Sequence, residues 1–212
     1  MAAVTRYDCG MLETVPLLAL VLFALVSSAT PGPNNIMLMT SGTNFGFARS
    51  APHMLGVALG FVAMLVIVGS GVGLAVHDSP RLALALKVAS AVYLLWLAWK
   101  VATAPPPRTD AAISARPLSF LQAAAFQWIN PKAWTMALTA AAVYVPPQDR
   151  AWGIAQMALV FGLVNLPVVG LWTLIGVQIR RVLDRPRMLR AFNVAAALLL
   201  VASLYPTLVS AG

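Results

Sequence analysis

The stretch Ser27-Ser28-Ala29-Thr30-Pro31-Gly32-Pro33-Asn34-Asn35 and its later counterpart Gln127-Trp128-Ile129-Asn130-Pro131-Lys132 decide how this chain folds. Both interrupt apolar runs, at 12–42 and 118–145, and Pro31 and Pro131 stand 100 positions apart. Proline has no N–H and drives the residue before it out of helical geometry, so a helix must stop at each point. It suits the first position of a new helix, which can restart at Pro31 or Pro33 and at Pro131, with Thr30 and Asn130 as N-caps. Gly32 supplies freedom to turn. Within lipid such a break survives only where protein or a water-filled cavity surrounds it.

Working outward, the rest of the chain is membrane-like. Of its 212 residues, 60% are hydrophobic and 9% charged, against about a quarter charged in ordinary soluble domains. The runs 53–76, 81–103, 151–177 and 190–209 each meet or approach the ~20 residues that cross a bilayer core. Together with the two broken stretches they predict an all-α integral membrane protein of six transmembrane helices, the first and fourth broken at Pro31 and Pro131. The proline-rich segment 104–117 falls at the midpoint. Three spans on each side of it make the second half enter the membrane from the opposite face, giving two inverted three-helix repeats. The expected organisation is an N-terminal extension 1–10 ahead of Met11, a first repeat 11–103, a cytoplasmic linker 104–117 and a second repeat 118–212. Ala58-Leu59-Gly60-Phe61 and Ala158-Leu159-Val160-Phe161 resemble each other at the same offset of 100.

A net charge of +8 would suit nucleic acid if it lay along one soluble face, but the basic residues sit in loops between spans, so no nucleic-acid partner is expected. Counted by side, Arg49, Lys100, Arg108, Arg116, Arg180, Arg181, Arg185, Arg187 and Arg190 oppose only Arg6, Arg81 and Arg150. Short-loop Lys and Arg mark the cytoplasmic side, which puts both termini outside. Cys9 is the sole cysteine, which excludes an intrachain disulfide and thiolate metal centres. No metal or cofactor is expected. Spacings of four at Gly56 and Gly60, and at Gly69 and Gly73, let helices approach closely; whether within one chain or between two leaves monomer and homodimer both open. His53 and His77 lie near opposite ends of the second span and are expected in the interfacial layer.

The paired breaks also carry the chemistry. Two helix N-termini facing a common centre present free N–H groups and roughly half a positive charge each, a site for a carboxylate. Lys132, a cation in the first turn of one of them, is favourable there only opposite an anion. The expected substrate-binding set is therefore Thr30, Pro31, Gly32, Pro33, Asn34, Asn35, Gln127, Asn130, Pro131 and Lys132, with Tyr93 and Asn165 as candidate cavity-lining residues. Beyond Glu13 at the very start of the first run no Asp or Glu lies within a span, and no zincin-type His–Glu pair or phosphate loop is present, so neither an enzyme nor an ATP-driven pump is indicated. A secondary transporter is the expectation. The rivals are a channel for small polar solutes, which also tolerates broken helices, and a membrane scaffold.

The run Thr30-Pro31-Gly32-Pro33-Asn34-Asn35, then Gly46, Gly56 and Gly60, then Ala91-Val92-Tyr93-Leu94-Leu95-Trp96-Leu97-Ala98-Trp99-Lys100, then Asn130-Pro131-Lys132-Ala133 resembles the LysE/RhtB superfamily of bacterial amino-acid exporters. The likeness spans residues 11–210, and among the branches it looks most similar to the cysteine and O-acetylserine exporters. The resemblance implies a multi-pass protein of the bacterial inner membrane, in contact with lipid, that exports a small neutral or hydroxylated amino acid using the proton gradient. Many members carry an Asp shortly after the glycines of the second span; here Phe61 follows Gly60.

Overall fold

The computed structural model describes residues 8–72, 79–104, 116–183 and 185–205. Most of the proposed extension 1–10, linker residues 105–115 with Arg108, and Gly73, His77 and residues 206–209 of the sixth apolar run lie outside the described residues.

The described residues form helices and connecting turns, with no strand among them. In chain order these are α1 (Asp8–Ala29), α2 (Pro33–Phe45), α3 (Phe47–Ile67) continued by a wide π turn (Val68–Val72), α4 (Pro80–Ala102), α5 (Phe120–Gln127), α6 (Pro131–Tyr144), α7 (Arg150–Val182) and α8 (Pro186–Ala202). Three segments are long and apolar enough to cross a membrane, 47–71, 80–102 and 150–182. The pair 17–29 and 33–45, bent by 56° at its break, adds a fourth crossing when taken together. Helices α5 and α6, of 8 and 14 residues, and α8, of 17, are each shorter than the bilayer core requires.

The exterior is apolar as well as the core, and polar side chains are drawn inside. Leu18, Leu121, Leu163 and Leu198 are all at least 60% exposed, while Asn35, Gln127, Asn130, Asn165 and Asn193 are buried. Apolar side chains pointing outward and amides pointing inward are stable together only when the surroundings are hydrocarbon.

Small residues set the helix spacing. A Cβ on Gly60 would come within 2.6 Å of Ala124 Cα, so α5 lies directly on α3. A Cβ on Gly42 would run into the backbone carbonyl of Thr173, and one on Gly176 into that of Met39, so α2 and α7 touch backbone to backbone. Thr43 Oγ1 uses this proximity to donate to the Gly176 carbonyl at 2.9 Å. The aromatic core sits where Phe61 and Phe161 meet edge-on at 5.5 Å, with Phe23 against Phe161 at 6.1 Å.

Two expectations need correction. Thr30 does not cap the second helix: its N–H and hydroxyl both reach back to the Val26 carbonyl, at 3.0 and 2.6 Å, so it closes α1. The new helix starts at Pro33 with Gly32, fully extended and without a side-chain cap, before it. His53 is not solvated but 2% exposed, on a helix that packs against α2, α5 and α7.

Candidate functional site

The two breaks lie side by side. Asn130 caps α6 by accepting the Lys132 N–H at 3.1 Å, the geometry expected of an Asn directly before an N-terminal proline. Lys132, in the first turn, extends across to the other break and its ammonium donates to the Thr30 backbone carbonyl. Gly32 makes that reach possible, since a Cβ there would stand 2.7 Å from Lys132 Cδ and 3.1 Å from Nζ.

A second bridge joins the start of α2 to the end of α5. Asn34 Nδ2 donates to Gln127 Oε1 at 2.9 Å and Gln127 Nε2 returns a bond to Asn34 Oδ1 at 3.2 Å. Gln127 also donates to the Ala123 carbonyl at 2.9 Å. Asn35 Nδ2 holds the unravelled end of α1, donating to the carbonyls of Ser28 and Thr30 at 2.8 and 2.9 Å. Thus the carbonyls freed at the first break are taken up by Asn35 just beyond it and by Lys132 from the other break, the accounting that backbone in lipid demands.

Between these elements lies a small inner cavity bounded by Asn34, Asn35, Gln127, Asn130, Lys132 and Asn165, with Gly32 and Ser28 on its wall. Its open volume is about 30 Å³, room for one or two waters. The Ser28 hydroxyl is buried here without a protein partner among the described residues. Of the residues expected at the site, Gly32, Asn34, Asn35, Gln127, Asn130, Lys132 and Asn165 line this cavity. Thr30, Pro31, Pro33 and Pro131 shape the breaks without lining it. Tyr93 is elsewhere, its ring stacked on Phe126 at 5.1 Å and tilted against Trp96 at 5.3 Å, a packing role. Sequence reasoning passed over Phe61, Ala133 and Met136, which supply the apolar wall; Phe61, beside the glycines of α3, was the one with a visible cue.

A second, larger cavity of about 740 Å³ opens along the other end of α2. Thr40, Ser41 and Asn44 of α2, His53 of α3, Lys100 at the end of α4 and Arg116 ahead of α5 border it. Along α2 and α5 the two cavities are separated by the Asn34–Gln127 bridge and by Ile36, Met37 and Phe126 of an apolar cluster.

Residues 25–203 match the family model described as LysE type translocator. The chain is 35% identical over 182 residues to the cysteine/O-acetylserine efflux protein of Escherichia coli strain K12, a stretch covering 84% of this chain and 90% of that protein. The protein of the same name from Shigella flexneri matches to the same extent, and that of Escherichia coli O139:H28 is 34% identical over the same lengths. No solved structure matches the chain. The similarity to efflux proteins thus runs along most of a helical chain with an apolar exterior, and the chain belongs to the LysE-type translocator family as a multi-pass membrane transporter, not an enzyme.

Proposed function

We propose that the chain exports a small neutral or hydroxylated amino acid from the cytoplasm across the bacterial inner membrane, by alternating access and at the expense of the proton gradient. The observation that carries this reading is the convergence of two helix starts and Lys132 on a polar cavity inside a bundle with an apolar exterior. First-turn N–H groups have no partner within their own helix. The substrate carboxylate meets those of α2 and α6 and draws the Lys132 ammonium away from the Thr30 carbonyl. The unpartnered Ser28 hydroxyl accepts from the substrate ammonium, and Asn34, Asn35, Asn130 and Gln127 bond its remaining polar atoms. At about 30 Å³ the inner cavity is closed to an amino acid, so loading it requires the helices to part, which is the motion that alternating access provides.

The proposed architecture is six spans: α1 with α2, then α3 and α4, and after the linker α5 with α6, then α7 and α8, both termini outside. Repeats 11–103 and 118–212 carry it. Two contacts favour the repeat: positions 100 apart meet at Gly32 with Lys132 and at Phe61 with Phe161. The names of the relatives suggest cysteine and O-acetylserine as first substrates to try.

The test is counterflow into liposomes holding the purified full chain, with radiolabelled O-acetyl-L-serine or L-cysteine. Saturable uptake accelerated by unlabelled solute on the far side is expected. Flux that rises linearly without such acceleration would favour a channel, and no flux of any amino acid would leave only the scaffold.

A further inference from the structure

We infer that the 740 Å³ cavity is a second binding site, one that takes the carboxylate-bearing solute from the cytoplasm before it reaches the inner cavity, with His53 as the contact at its floor. This rests on the exporter reading above.

His53 is the pointer. It borders the cavity, is 2% exposed, and neither ring nitrogen has a hydrogen-bond partner among the described residues. A buried polar group left unpaired costs about 1–3 kcal/mol, so a ring held in this state is one whose partner arrives from the cavity. Its polar neighbours are already engaged. Ser41 and Ser50 bond each other at 2.7 Å, Thr40 donates to the Ile36 carbonyl at 2.8 Å, and Asn44 and Asn193 exchange amide bonds at 3.0 and 3.3 Å. Of these buried groups, the imidazole is the one that makes no hydrogen bond at all.

Charge selects the occupant. Among the described residues, the charged ones bordering the cavity are Lys100, whose ammonium stands 4.6 Å above the Trp96 ring, and Arg116, with no Asp or Glu. Helices α2 and α5, packed on α3 around His53, carry no ionisable side chain. Those of α7 are Arg150, Arg180 and Arg181 near its ends, and α6 has Lys132 and Tyr144. Two cations on the border of a cavity attract anionic groups from solution. Size agrees: the inner cavity admits water, whereas this one has room for a whole amino acid. The structure therefore has a place for solute on one side of the Asn34–Gln127 bridge while the other side is shut.

The experiment compares KM at the two membrane faces, using radiolabelled O-acetyl-L-serine in everted and right-side-out vesicles containing the full chain. For His53→Leu, the KM at the cytoplasmic face is expected to rise about fivefold relative to that at the outer face, the scale of one lost hydrogen bond. His53→Gln, which keeps a donor and an acceptor, is expected to recover part of the difference. Should His53→Leu fail to reach the membrane, the Lys100→Gln and Arg116→Gln pair at the mouth tests the same site, with the same one-sided rise, weaker in high salt. An unchanged ratio in these variants means a water-filled access route only and overturns the inference while leaving the exporter intact. Wild-type vesicles without saturable uptake overturn both.

Discussion

Lys132 is the residue on which the site turns. A cation in the first turn of a helix is opposed by the dipole, and here it is held by a borrowed carbonyl at Thr30. A hydrogen bond to a charged group contributes about 1.5–3 kcal/mol, so Lys132→Ala is expected to lower efflux from preloaded cells about tenfold or more at matched membrane abundance. Lys132→Arg should restore part of it. Efflux unchanged in Lys132→Ala would remove the residue from the site. The Asn34–Gln127 bridge makes a separate prediction: a double-mutant cycle to alanine, read from thermal unfolding in detergent, should show coupling of about 0.6–1.7 kcal/mol. Coupling near zero would mean that the two amides are merely adjacent. Asn130 was legible as a cap because an Asn before proline has few other roles at a helix start. Thr30 was not, because the same hydroxyl can serve either the helix it leaves or the helix it precedes; the choice fell to the Val26 carbonyl, four residues back.

Among elements, the closest contact is α2 against α7, where Gly42 and Gly176 admit the opposing backbone. Adding one methyl at Gly176 would press on the Met39 carbonyl, backbone that cannot swing aside. Gly176→Ala is therefore expected to destabilise by about 1–3 kcal/mol. Gly170→Ala, on the same helix with nothing within 4 Å of the added carbon, should leave the unfolding midpoint unchanged or slightly raised. Equal midpoints for the two variants would show that α2 and α7 do not depend on this contact. The sequence signalled close packing at Gly56 and Gly60, through their spacing of four, but not at Gly42 and Gly176. Those two stand 134 positions apart, and nothing local announces that they face one backbone pair. The burial of His53 was hidden for the same reason. A histidine near the end of an apolar run reads as interfacial until another element, here α5 beyond the linker, is laid over it.

At the scale of the molecule, the distribution of Lys and Arg predicts which side each loop faces. With Cys9 replaced by serine, a cysteine at Ala104 should react with a membrane-impermeant maleimide only in everted vesicles. One at Gln148 should react only in intact cells. The reverse pattern would invert the proposed topology and place the large cavity on the outer side. The helical, lipid-facing character was legible from composition alone, since few other environments accept 60% hydrophobic residues. The cavities were not, because each is made by segments far apart in the chain. Gly32 and Lys132 hold the same place in the two proposed repeats, and they touch. In the proposed two-fold relation of the repeats, there is room at this point for one side chain, not two, since a Cβ on Gly32 would stand 2.7 Å from Lys132 Cδ. A pair of identical three-span chains would have to put two lysines there, which repel, or two glycines, which carry no charge. On that proposal, joining the halves in one chain would lift the restriction and let the centre be lopsided, with a cation from one side and a vacancy from the other. In the proposed export cycle a chiral solute arriving at such a centre would have a single preferred orientation, carboxylate toward α6, which a symmetric assembly could not impose.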